Sequence, residues 1–151
     1  MSKFNYKTEE EVIIAAMHIM ESKLSTNEYF KSVEETSRYF QFRLGHQERE
    51  IFCVMYLNNQ HQMIVTEDIF FGTIDSANIY PREIVKAALR HNAAAVIFSH
   101  NHPSGITEPS EADKRTTARL VEALALVDIR VLDHIIVTES QTTSFAVKGL
   151  L

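Results

Sequence analysis

The stretch Ser99-His100-Asn101-His102-Pro103-Ser104-Gly105 carries the side chains of this chain best suited to chemistry. His100 and His102 stand at i and i+2, and in an extended backbone such residues point to the same face. Both imidazoles can then reach one metal ion. Ten residues intervene before Asp113. Pro103, Gly105 and Pro109 give a loop that must turn back on itself. It delivers the chain to a helix with Ser110 well placed as N-cap and Asp113 in the first turn. Two neutral imidazoles and one carboxylate are a common catalytic zinc set that leaves a fourth position for water. Zinc lowers that water's pKa to roughly 7, so hydroxide is available at neutral pH. A structural zinc site would want a fourth protein ligand, usually cysteine. The single cysteine, Cys53, lies inside the apolar run 51–56 and reads as a small core residue. A His-x-His pair alone is a weak signal, because such pairs are common on ordinary surfaces. The added aspartate and the Pro/Gly loop sharpen it.

The elements that must position these residues follow from the patterning. Ala93 to Phe98 is a short, almost wholly apolar run, which reads as a buried central strand leading into the loop. Ser110 to Leu126 reads as a helix, with Leu120, Val121, Leu124 and Val127 on one face. Ile129 to Thr138 is a further strand and Ser144 to Val147 a last short one. Upstream, Glu50 to Leu57 and Met63 to Phe71 are rich in β-branched and aromatic residues, with Asn58–Gln62 between them, the pattern of a β-hairpin. Pro81 opens a helix that runs to Arg90, since proline suits the first helical turn. Before Gly45 the period is helical. Thr8 with Glu11, and Ser32 with Glu35, have the form of capping boxes, and Gly45 reads as a helix stop. Hairpin, helix, strand, helix and strands together predict an α/β sandwich: a mixed sheet flanked by helices, preceded by two short N-terminal helices. The division falls at residues 1–44, a helical segment, and 45–151, a metal-binding domain.

Bulk properties narrow the class. A chain of 151 residues with 45% hydrophobic and 23% charged residues has the composition of one globular domain. One cysteine excludes a disulfide within the chain and suits a reducing compartment. Residues 1–7 lack the apolar stretch of a signal peptide, and no apolar run approaches the ~20 residues of a membrane span. The cytoplasm is the expected location, with no membrane partner. The formal net charge of −5 works against non-specific DNA binding, which draws its energy from lysine and arginine at phosphates.

The full pattern, His100-x-His102, ten residues, Asp113, with Ser110 three before the aspartate, resembles the JAMM motif of the JAB/MPN metalloprotease superfamily. The strings His100-Asn101-His102-Pro103-Ser104-Gly105 and Pro109-Ser110-Glu111-Ala112-Asp113 are similar to the RadC branch of bacterial proteins. So are Gly72-Thr73-Ile74-Asp75, Tyr80-Pro81-Arg82-Glu83-Ile84-Val85 and Leu132-Asp133-His134-Ile135-Ile136. The resemblance covers roughly residues 45–151 and implies a cytidine deaminase-like sandwich. It implies Zn2+ held by His100, His102 and Asp113, and hydrolysis of an amide bond in a peptide or protein substrate. It also implies a glutamate from the first strand as general acid/base. The matching position is Glu50, which directly precedes the apolar run; Glu48 is the competitor two residues earlier. Ser110 inherits a role in stabilising the oxyanion, with helix capping as the rival reading. Full-length RadC proteins carry a helix-hairpin-helix-like region before the metal domain, and here only two short helices precede it. That departure, with the acidic charge, weakens the alternative reading as a DNA-associated accessory protein of repair or mobile elements. A third reading is an interaction module in which metal only stabilises the loop.

Other polar residues rank lower. Asp133-His134 reads first as a buried structural hydrogen bond, with a role in orienting a metal-bound histidine as the alternative. His18, His46, His61 and His91 fall on elements away from the motif. Ser99 and Asn101 flank the histidines, and neither has the base partner a serine-type nucleophile would need.

Overall fold

The computed structural model describes residues 5–6, 8–27, 33–73 and 79–151. Ser32, read above as a cap, and Ile74 and Asp75 of one family-like string lie outside them. The described residues form helices α1 (Glu9–Leu24), α2 (Val33–Leu44), α3 (Pro81–Arg90) and α4 (Glu111–Ala125). The strands are β1 (Ile51–Leu57), β2 (Met63–Phe71), β3 (Ala95–Asn101), β4 (Arg130–Val137) and β5 (Thr142–Ser144). They make one sheet in the order β2-β1-β3-β4-β5. Only β3 and β4 run parallel; the other neighbours are antiparallel. The sheet is therefore mixed, as the alternation of elements predicts.

Each strand's two-residue period divides the core. Ile51, Cys53, Met55 and Leu57 of β1 and Ala95 and Ile97 of β3 pack with Tyr39, Phe40 and Leu44 of α2 and Leu24 of α1. Phe52, Val54 and Tyr56, with Val96 and Phe98, pack with Ile84, Ala87 and Ala88 of α3 and Leu120 and Leu124 of α4. Helices thus cover both faces, and β1 and β3 are buried along their whole length. This burial on both sides explains why their sequences are nearly continuous apolar runs. Parity also sets the site. Even-numbered residues of β3 face α3 and α4, so His100 follows Val96 and Phe98 toward α4.

Beyond one-residue differences at β1, α4 and β4, the bounds of β3 and β5 depart from the sequence reading. β3 begins at Ala95, because Asn92 adopts φ 52° and the Ala93 N–H closes the end of α3 on the Ala88 carbonyl at 2.9 Å. It then continues past Phe98 to Asn101, so His100 is strand and not loop. The last strand is Thr142–Ser144 rather than Ser144–Val147. There the Asp133 carboxylate accepts the Ser144 hydroxyl at 2.6 Å and the Ala146 N–H at 3.0 Å, and Ser144 Oγ accepts the Val147 N–H at 3.1 Å. Those bonds curl the chain into a turn. Gly45 does end α2, but its φ is not left-handed. Its reason is space: a Cβ there would lie 2.6 Å from the Gln41 carbonyl oxygen and 2.8 Å from that of Thr138.

Candidate metal centre

β3 ends at the N-terminus of α4, and the two elements supply the three side chains. Beyond β3 the His102 N–H still donates to the Val137 carbonyl of β4, at 3.0 Å. The extended backbone therefore persists through residue 102, and His100 and His102 project to one side. The 103–110 loop then returns the chain, with Gly105 at φ 84°. Ser110 caps α4: its Oγ accepts the Asp113 N–H at 3.0 Å, and its own N–H donates to Asp113 Oδ2 at 2.8 Å. This reciprocal box fixes the Asp113 carboxylate at the third helical position, where the helix dipole favours an anion.

The result is a convergence of donors. Ligand-capable atoms of His100, His102 and Asp113 all lie within 4.8 Å of one another. His100 Nε2 is 3.3 Å from Asp113 Oδ1, and His102 Nε2 is 3.3 Å from Oδ2. The two Nε2 atoms are 2.9 Å apart. His100 and Asp113 are buried, and His102 is 13% exposed in its side chain, so the group has one open side. His102 Nδ1 faces the Ile106 carbonyl at 2.8 Å. A carbonyl only accepts, so Nδ1 carries the proton and the neutral ring presents its Nε2 lone pair to the centre. His100 Nδ1 is engaged by His134 Nε2 at 2.7 Å, which leaves Nε2 for the same space. Two imidazole nitrogens and a carboxylate in mutual contact repel unless a cation or proton lies among them. This donor set fits a divalent metal of the zinc type.

The electrostatics agree. Burial alone would lower the His102 pKa, yet the hydrogen bonds to Asp113 and Ile106 and the charges of Asp113 and Glu50 raise it above 6.5. Burial alone would raise Asp113, yet its contacts with His100 and His102 and the hydrogen bond from the Ser110 N–H hold it far below the usual carboxylate range. Burial and the neighbouring His100 and His102 push the His134 pKa well below 6.5. The Cys53 thiol is fully buried and pushed up by that burial, which leaves it inert.

Glu50 lies immediately before β1. In the β1–β3 register Phe52, two residues after Glu50, pairs with His100, two residues before His102. The Glu50 charge acts on His102, in keeping with that placement. Residues 48–49 form a bend, so the two-residue period fails there, and Glu48 is exposed on the wall of an outer cleft. That cleft, of about 420 Å³, is lined by His46, Gln47, Glu48, His102, Pro103 and Thr138 among others. His46 therefore stands at the mouth of the site, not away from it as its place in the sequence suggests. Asn101 holds the segment leading to Glu50. Its Oδ1 accepts the Ile51 N–H at 2.7 Å, and its Nδ2 donates to the Arg49 carbonyl at 2.9 Å and that of Gln47 at 3.3 Å.

Asp133 and His134 form the buried hydrogen bond that the sequence suggests, the carboxylate accepting the His134 N–H at 2.7 Å and serving the C-terminal turn, while the His134 ring lies behind His100. One residue of the surround, Thr117, escapes a sequence reading. Thr117, one helical turn after Asp113, donates to the Asp113 carbonyl at 2.7 Å and meets His134 Nδ1 at 2.6 Å. The only signal for Thr117 was its position at i+4 from Asp113, and threonines at such positions usually do no more than bond back to their own helix.

Comparison with known proteins adds the family. The RadC-like JAB domain matches residues 30–150. A UPF0758 protein of Vibrio cholerae is 51% identical over 143 residues, 95% of this chain and 90% of the relative. A UPF0758 protein of Cellvibrio japonicus is 59% identical over 113 residues, 75% of this chain and 50% of the relative. One from Vibrio parahaemolyticus is 44% identical over 149 residues, 99% of this chain and 66% of the relative. The chain thus spans about half to two thirds of the length of some of these relatives, and their names assign no activity. With the domain matched from α2 to the C-terminal turn, and half the residues shared with a relative of similar length, the chain belongs to the family of RadC-like JAB domain proteins.

Proposed function

We propose that this chain is a zinc-dependent hydrolase of the metallopeptidase or isopeptidase type, acting on an amide bond of a peptide or protein. The observation that carries the reading is the convergence of His100 Nε2, His102 Nε2 and the Asp113 carboxylate beside an open cleft. Zinc at that point would supply a Lewis acid for the scissile carbonyl and make a water nucleophilic near neutral pH. The other functions fall to the chain. Glu50, whose charge acts on His102, takes a proton from the attacking water and hands it to the leaving nitrogen. The Ser110 hydroxyl oxygen accepts the Asp113 N–H, which leaves its proton to donate toward an oxyanion. Asp113 and the histidines stay fixed by bonds to α4 and the loop, so no reorganisation is needed.

The test uses zinc-loaded protein and a panel of peptide and isopeptide-linked substrates. Glu50→Gln should keep stoichiometric zinc and lose at least about a hundredfold in turnover, the usual range for a proton-transfer group. Asp113→Asn should lose both zinc and turnover. A Glu50→Gln variant with full activity would remove Glu50 as the base, and zinc-loaded parent protein inert across the panel would remove the hydrolase.

A further inference from the structure

The ring of His134 is fully buried among Phe52, Phe98 and Phe145, with ring centroids 5.5, 5.8 and 4.6 Å away. Its two nitrogens nevertheless have partners: Thr117 Oγ1 on one side and His100 Nδ1 on the other. The direction of every bond in this row follows from its far end. The Asp113 carbonyl can only accept, so the hydroxyl proton of Thr117 points at it. Thr117 Oγ1 must then accept from His134, which places a proton on His134 Nδ1. A neutral ring has one such proton, so His134 Nε2 is a bare acceptor. His100 Nδ1 must therefore donate to it, and His100 Nε2 is left as a lone pair aimed at Asp113 Oδ1.

We infer that Thr117 and His134 are positioning residues that lock His100 in the one neutral tautomer able to ligate metal through Nε2. The row closes on itself. It begins at the carbonyl of Asp113 and ends beside the carboxylate of the same residue, by way of Thr117, His134 and His100. One residue of α4 thus supplies a ligand directly and sets the tautomer of a second. Metal-bound histidines elsewhere are oriented by a carboxylate or carbonyl on the other nitrogen. Here the partner is another histidine, whose own state is fixed only because Thr117 is already committed as a donor to the helix backbone. The assignment rests on the metal reading above, but its first prediction holds without metal.

The experiment uses the whole chain labelled with 15N-histidine. In the zinc-free protein, long-range 1H–15N correlation should show His100 and His134 each protonated at Nδ1. A His100 protonated at Nε2 overturns the lock, whatever the chain does with zinc. Competition titrations with zinc then measure its effect. His134→Phe keeps the ring's shape among the three phenylalanines and removes the acceptor, and should weaken zinc binding 10–100-fold. His134→Gln can accept from His100 through its carbonyl oxygen and should recover most of that loss. Thr117→Val should weaken zinc binding by about tenfold and Thr117→Ser should not. A folded His134→Phe or Thr117→Val that binds zinc as tightly as the parent overturns the inference. Should His134→Phe fail to fold, the Thr117 pair and the correlation spectrum carry the same test. Correct tautomers in a parent that binds no zinc would leave the lock standing and remove the metal reading.

Discussion

At the scale of single residues, His102 and Asp113 make the site's behaviour depend on pH. Without metal, His102 titrates above its ordinary 6.5, so its contact with Asp113 stabilises the fold fully below pH 6.5. That contribution is lost as pH rises through the folded His102 value. Asp113 titrates far below its ordinary 3.8, so its contribution is present above pH 3.8 and is lost as acid reaches the folded value. The metal-free pair is thus at its strongest between those two ordinary values. Zinc requires His102 to give up its proton, so proton and metal compete. Apparent zinc affinity should therefore rise by about tenfold per pH unit up to the folded His102 value and level off above it, one proton being displaced per zinc. Titration against a chromophoric chelator at several pH values between the two regimes measures this. An affinity flat with pH would mean that His102 is not displaced from a proton when zinc binds. The meeting of these three side chains was legible in the sequence, because i and i+2 in a strand share a face and Ser110 announces where α4 begins. The reach of β3 was not. Ser99, His100 and Asn101 are polar residues on a buried strand, and a polarity-based reading ends the strand at Phe98.

At the scale of elements, the junctions around the site carry more risk than the strands. Gly45 sits where α2 hands over to the segment before β1, and a Cβ there would press on two backbone carbonyls, Gln41 and Thr138. Neither can move without shifting α2 or the end of β4. Gly45→Ala should cost about 2 kcal/mol, in the usual range for overpacking, and urea unfolding would show it as a lower midpoint. A variant as stable as the parent would mean that the junction gives way more easily than two backbone contacts suggest. The N-terminus of α4 is a second such junction. Removing the cap in Ser110→Ala should cost about 1 kcal/mol. It should also free the Asp113 backbone from Oγ, while the bond from the Ser110 N–H to Oδ2 survives. Zinc affinity should then fall far less than turnover if the hydroxyl also serves an oxyanion. Equal losses in both would assign Ser110 to capping alone. The sequence named Ser110 as a cap but could not choose between these roles, since one hydroxyl satisfies both descriptions. It also misplaced β5, because the attraction of Ser144 and Ala146 to Asp133 is a contact across 11 and 13 residues and leaves no local pattern.

At the scale of the whole molecule, the fold class was legible because burial on both faces writes continuous apolar runs into β1 and β3, while amphipathic periods mark α3 and α4. The pairing of β1 with β3 rather than with its sequence neighbour alone had no such signature, yet that register sets Phe52, two residues after Glu50, against His100. The site ties together β1, β3 and α4, elements separated along the chain and held otherwise by the core between sheet and helices. A cation held between β3 and α4 would bind the folded chain and not the unfolded one, and would raise stability with the logarithm of its free concentration. At a thousand times the dissociation constant the gain is about 4 kcal/mol, and at about 2–4 °C per kcal/mol for a chain of this size the melting temperature should rise by about 8–16 °C. Thermal melts with zinc and with a chelator measure the difference. Asp113→Asn should abolish it, because the carboxylate is the one ligand contributed by the helix. Cys53→Ser should not, because that thiol is sealed in the opposite core layer among α2 and the odd-numbered face of β1. If zinc raised the melting temperature of Asp113→Asn as much as that of the parent, the ion would be bound somewhere other than between the strand and the helix.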